Sequence, residues 1–313
     1  SPNKQPLIDT KSVVPNGPTV STNFGAKAQN RTYQDLLKNK FDEHNFEQLS
    51  TSTIFKVSIN GESEKWLDEA MYRGISLSPD GKYVMVTQLK KPFSYLVTYS
   101  RFPSQTDIYT NKGELVTNLL DTPLIEELPK GRMSTRTGKR SYSWRPDQPS
   151  TLIYVQALDQ GDPAIKTEYR DEVFEIAAPF NGEGKSLVKK GNRFSGIDWG
   201  TENLAIAYDY WWDTRNRKAY AFNPSNPESK PKTIYDRNYQ DVYNDPGSFL
   251  KSRNSFNRSV LQIYKGNAFL RGSGFTKKGQ FPFIDKINTT SFEKTRVYQS
   301  KYTDKVESIQ DFD

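Results

Sequence analysis

The chain has 313 residues, with 44 Lys and Arg against 37 Asp and Glu, for a formal net charge of +7 at pH 7. A length near 300 lets about three quarters of the unfolded surface be buried, in two domains or one large all-β domain. A mean hydropathy of −0.80, with no run near the roughly 18 to 20 apolar residues of a bilayer span, excludes a helical membrane protein. Zero cysteines and a single histidine, His44, exclude thiolate catalysis, disulfides and multi-histidine metal centres, and leave one candidate base for a Ser-His-Asp triad.

The chain opens Ser1-Pro2-Asn3-Lys4, with neither an initiator Met nor a signal pattern, and is expected to be a piece of a longer protein. Pro2, Pro6, Pro15, Gly17 and Pro18 among Ser and Asn predict an extended stretch through the first thirty residues. Thr32-Tyr33-Gln34-Asp35 followed by Leu36, Leu37 and Phe41 predicts a short helix, capped at Thr32 and ending by about Asn45. Residues 1–50 are therefore expected to form an extended segment and helix, and residues 51–313 a β domain.

From Thr51 the pattern is short segments rich in Val, Ile, Tyr, Phe and Thr, cut by Gly, Asn, Asp and Pro about every ten residues. A polar strand pair begins it, Thr53–Val57 and Lys65–Leu67 around Asn60-Gly61. It recurs at Asp107–Thr110 with Leu115-Val116, Glu172–Ile176 with Ser186–Val188, Ala219–Phe222 with Thr233–Tyr235, and Phe283–Ile287 with Arg296–Tyr298. A more apolar pair alternates with it: Gly74–Ser78 with Tyr83–Val86, Ser141–Arg145 with Thr151–Val155, Gly196–Trp199 with Leu204–Tyr208, and a weaker copy at Ser248–Lys251 with Val260–Ile263.

Two alternating strand pairs make a four-stranded unit that is apolar on both faces, and such units bury themselves only by stacking on one another. The expected fold is all-β, a β-propeller of about four to five blades: a ring closed at that number is one reading, and cutting into blades at both ends, as part of a larger ring would show, is the other.

The positive balance does not point to nucleic acid. Lys and Arg are interspersed with Asp and Glu, and the densest runs are only Lys189-Lys190 and Lys277-Lys278, whereas a nucleic-acid binder concentrates charge in a stripe on a recognisable module. No cofactor is expected, since neither a dinucleotide fingerprint nor a P-loop is present and the acidic loops lack EF-hand spacing.

Arg31–Leu37, Ser94-Tyr95, Arg101-Phe102-Pro103, Arg140–Arg145, Gln160-Gly161-Asp162 and Asp241–Ser248, in that order, give the segment from about 30 to 305 a resemblance to the propeller of glutamyl endopeptidases, serine peptidases of the prolyl oligopeptidase group. The resemblance implies a propeller of seven blades, of which this chain would be an incomplete part, over the mouth of a C-terminal α/β-hydrolase domain that carries the catalytic residues, the nucleophile lying in a Gly-x-Ser-x-Gly elbow. No such elbow occurs here: Arg271-Gly272-Ser273-Gly274 lacks the first glycine at the right offset and reads as a tight turn. His44 reads as a solvated residue closing a polar helix end. The chain by itself is expected to be catalytically silent, with the hydrolase domain and a peptide substrate as its partners.

An acidic substrate calls for arginine, whose planar fork pairs both carboxylate oxygens. Arginines gather at Arg132, Arg136, Arg140 and Arg145, and at Arg215 and Arg217 after Tyr210-Trp211-Trp212. Arg136 and Arg140 are the preferred substrate-binding pair, in a Gly-bounded segment (131–138) leading into an innermost strand. Two rival readings stand beside this one: a free-standing TolB-like scaffold that binds a protein, and a glycan binder using Tyr208, Tyr210, Trp211 and Trp212 as a stacking platform.

Overall fold

The computed structural model of the chain describes residues 3–9 and 33–310, in two compact units. One runs to Lys130 and takes in residues 178–181; the other comprises 131–177 and the chain from Gly182 onward.

In the first unit, helix α1 (Lys40–Ser50) begins later than the sequence predicts. Thr32 lies outside the described residues. Asp35 sits at φ 56, in the left-handed region that interrupts a helix, and Asn39 is the true cap, its Oδ1 accepting from the backbone N–H of Phe41 and Asp42 at 2.9 Å. His44 consequently stands mid-helix, half-buried, with Nε2 3.0 Å from the carbonyl of Pro6. Nearby, Asn45 pairs both ways with the backbone of Ile8. Phe46 docks the helix edge-on against Phe93 and Phe102 over the cluster of Leu89, Val97 and Phe102.

Beyond the helix lies a sheet in the order β1 (Ser52–Val57), β2 (Ser63–Leu77), β3 (Tyr83–Leu89), β4 (Ser104–Thr110), β5 (Leu115–Thr122). Where the sequence suggests two strands, β2 is one of 15 residues: its first half pairs with β1 and its second with β3. No Gly or Pro interrupts residues 68–73, so nothing ends the strand there; a register shift between Tyr72 and Gly74 redirects it instead. The β2–β3 turn shows why Ser-Pro-Asp-Gly makes hairpins. Ser78 Oγ donates to Asp80 and accepts from Tyr83 N–H, while Gly81, at φ 69, donates to Ser78 O.

The second unit holds two four-stranded antiparallel meanders and a third antiparallel sheet of five strands. The meanders are β6 (Arg140–Trp144) to β9 (Lys185–Lys190) through β7 (Thr151–Ala157) and β8 (Asp171–Ala177), and then β10 (Arg193–Thr201), β11 (Leu204–Trp211), β12 (Asn216–Phe222) and β13 (Lys232–Asn238). The last begins at β14 (Ser248–Phe249). A side hairpin of β15 (Lys251–Arg253) and β16 (Ser259–Leu261) follows, then β17 (Ile263–Tyr264) and β18 (Asn267–Gly272). After the small β19 (Phe275–Thr276) and β20 (Gly279–Gln280) it finishes with β21 (Phe283–Asn288) and β22 (Lys294–Gln299), in the order β14-β18-β21-β22.

Alternation along β11 explains the stacking. Leu204, Ile206 and Tyr208 enter one buried cluster with Phe249, Leu261, Leu270 and Ile287; Ala205 and Ala207, one residue out of phase, enter another with Ile153, Val155, Val173, Leu187 and Trp199. The middle sheet is thus buried on both faces, as blades of a propeller are. The fold is all-β, of β-propeller class, with one short α-helix among the described residues.

In the last blade the second strand is β18, where Phe249 pairs with Leu270, and not the Val260–Ile263 segment that the sequence suggests. Val260 and Leu261 are buried, yet Leu261 is apolar because it fills the space between two blades rather than because it belongs to the meander.

Candidate functional site

In an antiparallel meander alternate connections emerge at the same end. Within the second unit, the loops 131–139, 158–170, 191–192, 212–215, 239–247 and 273–282 therefore share one end of the blades. That end carries most of the arginines that the sequence singles out.

Its foundation is a buried ion network. Asp159, with 0% of its surface exposed, accepts from Arg193 Nη1 and Nη2 at 2.7 and 2.8 Å, from Arg170 at 2.8 Å and from Gly161 N–H at 3.1 Å. Asp171, equally buried, accepts from Arg193 at 3.0 Å and from Phe194 N–H at 2.8 Å. Arg193 Nε donates to the carbonyl of Met133 at 2.8 Å, which ties the arginine loop to this layer. Gly161 makes the second tie. Its carbonyl accepts from Thr135 N–H, and at φ 75 it approaches so closely that a Cβ would lie 2.0 Å from Thr135 O.

Beside this layer Lys190, fully buried, directs Nζ at the ring of Tyr220 from 3.6 Å and donates to Ala207 O at 3.4 Å. Burial lowers its pKa to about 7, and the charge of Asp209 works against that shift. Burial likewise raises the Asp209 carboxyl, opposed by Lys190 and by hydrogen bonds from Asn192.

The two preferred residues lie at the edge of the network. Arg140 Nη2 is 2.5 Å from Asp171 Oδ2, but without hydrogen-bond geometry, and both Nη2 and Nε are buried with no hydrogen-bond acceptor. Arg136 donates to the carbonyls of Thr137 and Lys139, and its pKa is lowered by burial and then by the neighbouring charge of Arg140. A second arginine pair brackets an indole: the guanidinium carbons of Arg132 and Arg215 lie 3.8 and 3.6 Å from the Trp212 centroid.

Arg145, also an arginine candidate in the sequence, belongs to the opposite end of β6. It is 4% exposed, bonded to Asp147 and Glu175 and stacked 4.1 Å over Trp199. Arg217 lies 5.2 Å over Tyr208. The aromatic platform does not form: Tyr208 is buried and hydrogen-bonded to Asp198, and Trp211 and Trp212 are stacked with arginines. Ser273 follows β18 and precedes a small hairpin, without the strand-to-helix setting of a nucleophile elbow. A cleft of about 270 Å³ beside Tyr243, Phe275 and Phe283 contains Arg296 and Lys294, both already engaged with Asp285.

Sequence reasoning missed Asp159, Arg170, Asp171, Lys190 and Arg193 as one assembly. A usable signal was there: Arg193 stands directly before Phe194, and Asp171-Glu172 lead into Val173-Phe174, and a charge opening a strand with apolar residues is buried only with a partner.

No family model matches the sequence. The chain is similar to the probable chloroplastic glutamyl endopeptidases of Oryza sativa subsp. japonica (36% identity over 298 residues) and Arabidopsis thaliana (35% over 299), each over 93% of its own length. It spans about a third of those relatives, 32% and 31%. Solved structures with slighter likeness include an oligogalacturonate lyase (TM-score 0.43, 12% identity, 84% of this chain and 62% of that one). Another is the acylaminoacyl peptidase of Pyrococcus horikoshii (0.40, 12%, 79% and 35%). By sequence the chain is similar to a segment of probable glutamyl endopeptidases.

Proposed function

We propose that this chain is a non-catalytic propeller portion of such a peptidase, restricting access to a catalytic α/β-hydrolase domain that lies outside it and helping to hold the peptide substrate. Arg136 and Arg140 take an acidic side chain of that peptide. The observation that carries the reading is Arg140: beside the guanidinium of Arg136 it has only the carboxylate of Asp171, which it shares with Arg193, and its buried Nε and Nη2 make no hydrogen bond of good geometry. A carboxylate supplies two acceptors and a negative charge together.

The chain alone is expected to hydrolyse no Glu-containing peptide, and activity in a homogeneous preparation would overturn the reading. In the longer protein, Arg140→Met should lower kcat/KM for a Glu peptide by at least about tenfold, as loss of a charge-assisted bond does, while its Gln analogue is little affected. Equal losses on the two peptides would remove Arg140 from the site.

A further inference from the structure

Two guanidinium carbons within 4 Å of one indole centroid cannot share a face, since each group covers the ring it stacks on. Arg132 and Arg215 therefore sandwich Trp212. Stacking uses the flat faces of the guanidinium groups and leaves their edges, which carry the N–H donors, for other partners. Arg215 spends one donor on Trp212 O at 2.6 Å, from a turn residue held at φ 57; Arg132 is exposed. Neither meets a carboxylate among the described contacts, although exposed Asp213 lies in the same turn.

The result is two fixed positive charges roughly 7 Å apart across a ring, the sum of two stacking distances. That separation matches side chains at positions i and i+2 of an extended peptide, where the rise is about 3.3 Å per residue and both point to the same side. We propose that the Arg132–Trp212–Arg215 sandwich is a binding site for an extended acidic peptide bearing carboxylates two residues apart, one on each guanidinium. Nucleic acid fits less well. Single strands bind through bases stacked on open aromatic faces, and here both faces of Trp212 are covered while Arg170 lies 4.1 Å over Trp211. The site goes beyond the Arg136–Arg140 reading and does not depend on any catalytic domain.

The test is calorimetric titration of the chain with three acetylated peptides of equal length: alternating Glu and Thr, the same composition with the Glu residues in adjacent pairs, and alternating Gln and Thr. A short oligothymidylate is the fourth titrant. The alternating Glu peptide should bind at least about tenfold more tightly than the paired one, with the Gln peptide undetectable, and Arg132→Gln and Arg215→Gln should each cost about tenfold or more. Indifference to spacing, preference for the oligothymidylate, or unchanged binding by Arg132→Gln would each overturn the proposal. If Arg215→Gln fails to fold, exposed Arg132 decides. An Arg140→Met chain should bind the alternating peptide normally, so failure here and failure of the peptidase reading are told apart.

Discussion

An arginine stands at either end of strand β6, Arg140 as its first residue and Arg145 just beyond its last, and the two could hardly be used more differently. Arg145 is saturated: two carboxylates and an indole face surround it, and only 4% of it is exposed. Arg140, five residues earlier, touches one carboxylate that Arg193 already holds, and leaves buried donors unfilled. An arginine that only supports the fold has its charge and its donors satisfied from within, because an unmatched buried donor costs about 1 to 3 kcal/mol. One left short of acceptors is a candidate for an outside ligand.

The largest effect that sharpens this contrast should come from the buried ion layer on which Arg140 rests and Arg145 does not. Asp159→Ala leaves Arg193 and Arg170 without their shared partner, and an equilibrium urea titration should show a loss of about 3 to 5 kcal/mol. If the loss were below 1 kcal/mol, the network would not be the foundation it is taken for.

The comparison is broken directly by two parallel substitutions. Arg145→Met strands Asp147 and Glu175 and should cost about 2 to 4 kcal/mol, reduced from the fully buried case because Lys185 lies 3.8 Å from Glu175. Arg140→Met leaves Asp171 with Arg193 and Phe194 N–H, and should change stability by less than about 1 kcal/mol. Equal thermal shifts in the two variants would erase the distinction between a supporting arginine and a ligand-seeking one.

A smaller effect, spread over pH, concerns Lys190. Its folded pKa of about 7 lies below the ordinary 10.5, so between these values the unfolded chain holds a proton that the folded one has lost. Stability from this group therefore rises as pH climbs from about 7 toward 10, with a slope of at most about 1.4 kcal/mol per unit. Lys190→Met should flatten urea midpoints over that window; an unchanged slope would mean that the lysine stays charged in its pocket, balanced by Asp209.

Much of the blade pattern was legible because sheet faces impose a two-residue period that Leu204 to Tyr208 display openly. The last blade was misread at Val260, where an apolar pair serves packing between sheets and mimics a strand. The helix was misplaced because Thr32 and Asn39 are both plausible caps, and the choice fell to the docking of Phe46 on Phe93 and Phe102. At the candidate site the choice of Arg136 and Arg140 rests on residue type and position along the chain, whereas the Trp212 sandwich brings together residues 132 and 215, for which no local spacing is a guide.

By itself the sequence determined the class of strands, their alternation and most turns, since backbone sterics and the burial of alternate side chains act over a few residues. Tertiary structure alone decided which charges cancel. Asp159, Asp171 and Arg193 meet only after two blades stack, and the range of an unscreened ion pair is set by distance in space, about which separation along the chain says nothing.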